Sequence, residues 1–487
     1  METHKKKKVA QGSALALAGQ VVQMIMGVGL SVGLARILGP DEFGRVSLVL
    51  AFVQIWDQIF HNGVPLATNK LLSDHYESAK SIIILGLKTQ AVISTLGLLI
   101  LMIMSGCFPQ FFFGDASLGH LSVIALIYIF PDSLFDVWNS SLNGLKKFKL
   151  RTWSLLQYYS LRFCFVMVFL SIFKTAASAF YAFALSSAIM LMVSYFKRIP
   201  LGSEPTKFKL KDVLHLSSSL FLGNILMDMI FRIDRLFLKN ILKSDRMVGF
   251  YSIGSNLMRL SFMLTLSIAS TIFSSIARVY QKGRMDKVVQ YIEEGTRYLL
   301  LMIVPFSFVV MVLAHDIVHV LYGKSYAIAV PALKILMLST IFYSVFRLYR
   351  RCLVAIDKAW YVVWDSAGLL ALDVVLNLVL IPKFGLIGAA WAITLSAITG
   401  MLLSVWKLKR EVHFSFQWIS FAKLLGFSYL FYWLAMHIPW PNFYIRYPAY
   451  LMLGVLYIGL MIIMGEINRN DYQVLKSIFK KGESEEA

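Results

Sequence analysis

Cysteine is nearly absent. Cys107, Cys164 and Cys352 are scattered over 487 positions, a spacing that suits neither a disulfide framework nor a thiolate metal site. The chain also lacks H-E-x-x-H, a Walker phosphate loop and G-x-S-x-G. None of the short motifs that carry zinc, nucleotide or serine-nucleophile chemistry is therefore present. With no ATP-binding domain, uphill work has to draw on a gradient or on the membrane potential. Charge is thin: Asp, Glu, Lys and Arg make up 15% of residues. Long polar stretches are missing as well, since no connection exceeds roughly 20 residues, far short of a folding domain.

What fills the chain is apolar. It is 58% hydrophobic with a mean hydropathy of +0.68, too apolar for a soluble protein of this length. A membrane-spanning helix needs roughly 20 mainly apolar residues. About fourteen segments qualify: 13–35, 45–64, 81–105, 117–143, 152–173, 176–196, 213–240, 247–276, 291–314, 331–355, 360–381, 385–406, 417–437 and 447–466. The expected fold class is an all-α integral membrane protein. The first segment is too long, and lacks the cleavage site, for a removed signal peptide.

The net charge of +20 is distributed by side. Odd-to-even connections are poor in Lys and Arg, and "CFPQFFFGDASLGH" has none. Even-to-odd connections are rich: "KKFKLR" (146–151), "KRIPLGSEPTKFKLK" (197–211), "RVYQKGRMDK" (278–287) and "KLKR" (407–410). By the positive-inside rule, about 30 basic residues against about nine make the rich side cytoplasmic, and an even span count puts both termini there. The expected location is the inner (plasma) membrane. With no soluble basic domain to hold nucleic acid, the excess charge reports topology and attraction to anionic membrane lipid.

The chain repeats itself. "ILGPDEFGRVSL" returns as "ILKSDRMVGFYSI", with Gly44 matching Gly249, and "FFGDAS" returns as "LYGKSY", with Gly114 matching Gly323. "LNGLKK" returns as "LVAIDK", with Lys147 matching Lys358, and "SAFYAFALSSAI" returns as "AAWAITLSAI", with Ala179 matching Ala389. The expected organisation is an N-terminal lobe (1–202, helices 1–6), a cytoplasmic linker (203–212) and a C-terminal lobe (213–410, helices 7–12). Two further helices and a basic tail occupy 411–487. Six spans per copy give both lobes one orientation, related by an axis along the membrane normal. A cleft between them then serves alternating access.

Several spans carry charge, which costs about 2.5–3.5 kcal/mol per group at mid-bilayer on insertion scales. In "NILMDMIFRIDRLFLKNIL" (224–242), Asp228, Arg232 and Arg235 share one helical face, and Asp234 lies on another. Ser252, Ser255, Asn256 and Arg259 form a stripe in the next span. Gln54, Asp57, Gln58 and His61 form the equivalent stripe in the first copy. Polar stripes in apolar spans belong against water or another polar stripe. Asp373 and Asn377 share a face at i, i+4, and Thr394 lies on the following span. Asp132, Asp136, Asn139 and Asn143 form an acidic stripe whose repeat mates include Arg347 and Arg350.

The blocks "LARILGPDEFGRVSL", "DRLFLKNILKSDRMVGFYSI", "VLYGKSYAIAVPALKIL" and "IPKFGLIGAAWAITLS" resemble the multidrug/oligosaccharidyl-lipid/polysaccharide exporter superfamily, in its polysaccharide-biosynthesis branch of O-antigen-type flippases. The resemblance covers 13–410 and implies a flippase. Its substrate would be a polyprenyl-pyrophosphate-linked oligosaccharide, moved from the cytoplasmic to the outer leaflet, and glycan-assembly proteins would be its partners. It also implies that spans 1, 2, 7 and 8 line the cleft. Arg232, Arg235 and Arg259, with Asp228, Asn256, Gln54, Asp57, Gln58 and His61, would then face substrate, and Arg36 would guard the outer cleft or snorkel. Guanidinium suits a pyrophosphate because it binds bidentately and stays charged. The plainer reading is an Asp228–Arg232 pair with Arg235 snorkelling. Some relatives bind sodium in the C-terminal lobe; Asp234, Asp373, Asn377 and Thr394 match that pattern, with a proton as the competing coupling ion. No resident cofactor is implied. Asp132 and Asp136 against Arg347 and Arg350 would form a cytoplasmic gate. Lys334 reads as snorkelling, and Arg162 and Arg297 have no evident partner. A drug antiporter of the same superfamily is the alternative, and a membrane-embedded glycan polymerase or ligase the alternative of another class.

Overall fold

The computed structural model describes residues 2–61, 63–103, 108–196, 204, 208, 210–438 and 443–466. The linker expected at 203–212 and the basic tail fall largely outside them. Among the described residues every regular element is helical: α1 (Glu2–His61), α2 (Gly63–Asp74), α3 (Ala79–Ile103), α4 (Phe108–Phe113), α5 (Gly119–Gly144), α6 (Phe148–Phe173), α7 (Ala176–Phe196), α8 (Leu210–Leu242), α9 (Asp245–Tyr280), α10 (Met285–Val312), α11 (Ala314–Tyr322), α12 (Val330–Ala355), α13 (Ala359–Phe384), α14 (Leu386–Val412), α15 (Trp418–His437) and α16 (Phe443–Ile463). The protein is an all-α, multi-pass membrane protein. Among the described residues, eleven helical stretches are long and apolar enough to cross a bilayer, or twelve if the pair Asp245–Met263 and Ile268–Tyr280, bent by 42°, is one span.

Local chemistry sets the breaks. Gly39 leaves the helical region at φ 74° and ψ 175°, and Pro40 follows it. Glycine reaches positive φ without Cβ strain, and proline suits a helix start because it has no N–H to satisfy. α1 is thereby divided into two arms. Ser244, in extended conformation, caps α9 by accepting from the Met247 amide, with Asp245 in the first turn; both favour a helix N-terminus.

Packing within residues 2–196 recurs within 210–412. α5 packs on α7 as α12 packs on α14, α6 on α7 as α13 on α14, α3 on α5 as α10 on α12, and α1 on α6 as α8 on α13. α5 and α12 are both 26 residues long, as are α6 and α13. Left-handed backbone recurs in step, at Gly114 and Gly323, Lys146 and Asp357, and Lys174 and Gly385.

The two sets of helices meet where α1 lies against α8 and α9. Gly44 and Gly249 touch there. A Cβ on Gly44 would sit 1.8 Å from the Asp245 carbonyl oxygen, and one on Gly249 2.5 Å from that of Pro40. The residues paired by sequence repetition are thus the ones that let the backbones cross.

Candidate functional site: a guanidinium-lined cavity and a carboxylate cradle

A cavity of about 470 Å³ opens between the two arms of α1 and helices α5–α9. Its walls are mixed, with Leu30, Leu34, Phe43 and Val46 from α1 and the rings of Phe163 and Phe183 beside Gln54, Tyr128, Tyr159 and Asn256. Its charged lining is Arg162, Arg235 and Arg259, and among the described residues no carboxylate joins them.

Each guanidinium is fixed from behind. Arg235, 3% exposed, donates Nη2 to Ser255 Oγ at 2.7 Å. Arg259 donates to Asn256 Oδ1 one turn back, and Asn256 Nδ2 donates to Ser31 Oγ at 2.9 Å. Arg232 stands beside the cavity and donates Nε to Gln54 Oε1 at 3.2 Å. The Asp228–Arg232 pair allowed by their spacing is therefore not what holds Arg232, and burial rather than snorkelling is the fate of Arg235. Arg162 Nε, Arg232 Nη1 and Arg235 Nε are buried with no acceptor among the described residues. An unmatched buried donor costs about 1–3 kcal/mol. Of the three, Arg162 and Arg235 belong to the cavity lining and Arg232 does not, and it is the positive charge of the lining that suits a ligand rich in acceptor oxygens.

Arg162 was unplaceable by helical spacing because its carboxylate and serine partners lie on other helices. Its Nη2 donates to Asp132 Oδ1 at 2.8 Å and to Ser187 Oγ at 2.9 Å, and it also reaches the Tyr158 hydroxyl. The guanidinium lies 4.4 Å from the Tyr158 ring centroid, 5.2 Å from Phe183 and 5.6 Å from Tyr128, within cation–π range. The signal that could have found it is repeat register. Arg162 and Asp373 are each the fifteenth residue of their helices, α6 and α13.

Around Asp373 the chemistry inverts. Asp234, Asp373 and Asn377 are each 0% exposed. Asn377 Nδ2 donates to Asp234 Oδ1 at 2.9 Å and to Asp373 Oδ2 at 3.0 Å. Tyr251 donates its hydroxyl to Asp234, and Ser396 Oγ donates to Asp373 Oδ1 at 3.2 Å. Sequence spacing missed Tyr251 and Ser396, since only packing brings α9 and α14 to this point. Thr394 is turned away from the carboxylates, donating to the Ala390 carbonyl at 2.7 Å. Asn377 Oδ1 is buried without a donor among the described residues. Two buried carboxylates bridged by one amide cannot both hold full charge without a counter-cation or a proton. The oxygen set fits a hard cation, although no group of three His, Cys, Asp or Glu side chains gathers among the described residues.

The remaining candidates spread out. Asp57 and Gln58 lie half-buried further along α1, outside the cavity lining, and the His61 side chain falls outside the described residues. Asp132 is engaged by Arg162 on the same side of the molecule, and Asp136 is exposed. Arg347 stacks over Phe262 at 5.1 Å and Arg350 over Phe346 at 5.6 Å. Lys334 donates Nζ to the Tyr432 hydroxyl at 3.1 Å, tying α12 to α15 instead of snorkelling.

Arg36 donates Nε to the Leu321 carbonyl at 2.7 Å and also reaches that of Val320, in the last turn of α11. Its place is the Gly39 end of the bundle, where a chain of charges crosses the interface. Lys239 Nζ bridges Asp115 Oδ2 at 2.9 Å and Asp245 Oδ1 at 2.7 Å. Arg45 joins Asp245 at 3.2 Å and Glu42 at 2.6 Å, and Glu42 Oε2 accepts from the Ala176 amide at 2.9 Å. The Ser117 hydroxyl and Lys239 draw the Asp115 carboxyl down to about 2.

Known proteins resemble this arrangement. A Haloferax volcanii protein, named as a probable low-salt glycan biosynthesis flippase, Agl15, is 26% identical over 189 residues, 38% of this chain and 40% of that protein. The chain thus spans well under half of that relative. A Shigella flexneri protein whose name assigns it provisionally to O-antigen transport is 20% identical over 423 residues, 82% of this chain and 98% of that one. Among solved structures, the lipid II flippase MurJ in an inward closed conformation matches with a TM-score of 0.72 at 17% identity, covering 96% of this chain and 99% of that one. An inward-facing multidrug resistance MATE family transporter matches with 0.68 at 14%, covering 80% and 95%. These likenesses show the fold. The family model described as polysaccharide biosynthesis protein matches residues 33–331, more than half of the chain, and the chain belongs to that family, within the multidrug/oligosaccharidyl-lipid/polysaccharide exporter superfamily.

Proposed function

We propose that the protein is a flippase that carries a polyprenyl-diphosphate-linked oligosaccharide across the membrane by alternating access, for cell-surface polysaccharide assembly. The observation that carries this reading is the charge of the cavity, whose lining holds Arg162, Arg235 and Arg259 and no carboxylate among the described residues. A diphosphate offers acceptor oxygens to guanidiniums in the cavity wall, and Arg keeps its charge in a low dielectric. An antiporter of organic cations, the second reading, would want the opposite charge.

The fourteen-span count follows if the arms of α1 are two spans, the bent α9 is one, and α8 crosses despite its charges. Two lobes related by a pseudo-two-fold axis account for the recurring helix lengths and left-handed residues. The positive-inside rule places both termini and the linker in the cytoplasm of an inner membrane and the Gly39 end outside. Asp136, Arg347 and Arg350 remain the candidate inner gate. Asp234, Asp373, Asn377, Tyr251 and Ser396 would hold a sodium ion or a proton, which supplies the coupling; the residues themselves orient the two carboxylates and exclude water.

Complementation of a flippase-null strain, scored by surface glycan, tests the reading. Arg235→Ala and Arg259→Ala are each expected to abolish surface glycan with protein levels retained. Full complementation by both variants overturns it. A cysteine placed at 115–118 should label with an impermeant thiol reagent from outside, and one at 203–208 should not.

A further inference from the structure

Arg162 occupies in α6 the register that Asp373 occupies in α13. One position of the repeat therefore seeks a cation in one half and supplies one in the other. A buried guanidinium held only as an ion-pair partner would be expected to face its carboxylate and packing alone. Arg162 instead lines the cavity, whereas Asp132 does not. The carboxylate sits behind the guanidinium and accepts from Nη2 at 2.8 Å, beside Ser187. The Tyr158, Phe183 and Tyr128 rings flank the group. Its Nε is buried without an acceptor among the described residues. An arginine oriented by a carboxylate behind it, with its side chain in a cavity wall, is built as a positioned anion-binding group.

We propose that Arg162 is a further anion-binding residue of the central cavity and Asp132 its positioning residue. A diphosphate would then be held between Arg162 on one side and Arg235 and Arg259 on the other. The inference rests on the flippase reading above and adds a contact on the N-terminal half. Binding from both halves has a mechanical consequence. A ligand that joins the two walls stabilises the arrangement in which they are close, so release requires the walls to separate.

The test uses the purified full-length protein and farnesyl diphosphate as probe, with binding read by intrinsic fluorescence. Arg162→Gln alone takes the cationic partner from Asp132, so the informative variant is the double change Arg162→Gln with Asp132→Asn, which removes the pair neutrally. The expected result is at least tenfold weaker binding with an unchanged melting temperature, and an intermediate loss for Arg162→Lys. Unchanged affinity in the double variant, with binding lost in Arg235→Gln/Arg259→Gln, overturns this inference and leaves the flippase reading intact. A wild-type protein that binds farnesol as well as farnesyl diphosphate overturns the flippase reading and this inference with it. Competition by inorganic pyrophosphate with farnesol inert assigns recognition to the diphosphate itself. Competition by farnesol with pyrophosphate inert makes recognition apolar and refutes the proposal.

Discussion

Arg162 and Asp373 hold the same position in α6 and α13, helices of equal length, with opposite charge. Around Arg162 a cation is part of the chain, its carboxylate on α5, its hydroxyl partner on α7 and its rings on α5, α6 and α7. Around Asp373 the carboxylates are part of the chain and a cation has to come from outside. The first arrangement carries its own counter-charge and opens onto the cavity. The second is fully buried, with two carboxylates that share one amide. On the proposed reading, two copies of one scaffold diverged in a few side chains, one toward substrate and the other toward coupling.

The comparison breaks most visibly at Arg162. Arg162→Gln alone should cost about 2–3 kcal/mol, because Asp132 loses a charged partner and keeps Tyr158 and Ser187. The double change with Asp132→Asn should restore the wild-type melting temperature. If the single variant melts like the wild type, Asp132 is not held by Arg162 in the membrane. Next comes Asp373→Asn, which keeps the hydrogen-bonding shape but removes charge. Losing one charged contact of about 3 kcal/mol is about 100-fold in cation affinity. The sodium-dependent rise in melting temperature expected of the wild type should therefore vanish. A wild type with no sodium response, but with activity that tracks a proton gradient, assigns the cradle to a proton.

A smaller effect is expected at the helix crossing. Gly44→Ala forces a methyl against the Asp245 carbonyl and should weaken closure of that end by about 1–3 kcal/mol. In a cysteine-free background, Ser47→Cys on the cavity wall should then label faster from outside. Thr394→Val should change stability by less than about 1 kcal/mol, since its hydroxyl serves its own helix. Ser396→Ala should weaken the sodium response more than Thr394→Val does; equal effects would mean that Thr394 turns inward on binding.

The smallest effect belongs to Asp115. Its carboxyl is lowered to about 2, so its contribution is fully present above the ordinary carboxylate value of about 3.9. That contribution fades only as pH falls toward about 2. The Asp115–Lys239 link should be indifferent to pH between 5 and 8. Asp115→Asn should cost under about 1 kcal/mol, since the group is partly exposed.

Much of the cavity was legible from helical spacing. Gln54, Arg235, Asn256 and Arg259 fell on predicted stripes, because a polar residue in an apolar span has few places to go. Arg36 was legible as a charge near one end, but not as the partner of α11 carbonyls, since that contact joins residues 285 apart. Thr394 matched a pattern by position and failed it by rotamer. A Thr hydroxyl in a helix can always satisfy itself on the carbonyl four residues back.

The sequence by itself determined the class, the family, the repeat and the sidedness of charge. Each of these is set by composition and by linear order: hydropathy over roughly 20 residues, basic residues counted by connection, and matches at a constant offset. Only the tertiary structure decided which charges meet. Asp132 took Arg162 rather than the repeat-mate arginines, and Tyr251 and Ser396 joined Asp234 and Asp373. Lys239 closed a chain from α5's approach to α7's start. The physical reason is that a buried charge must find its partner within about 4 Å. Helices of 26 residues bring such partners together from positions that no spacing along one helix can relate.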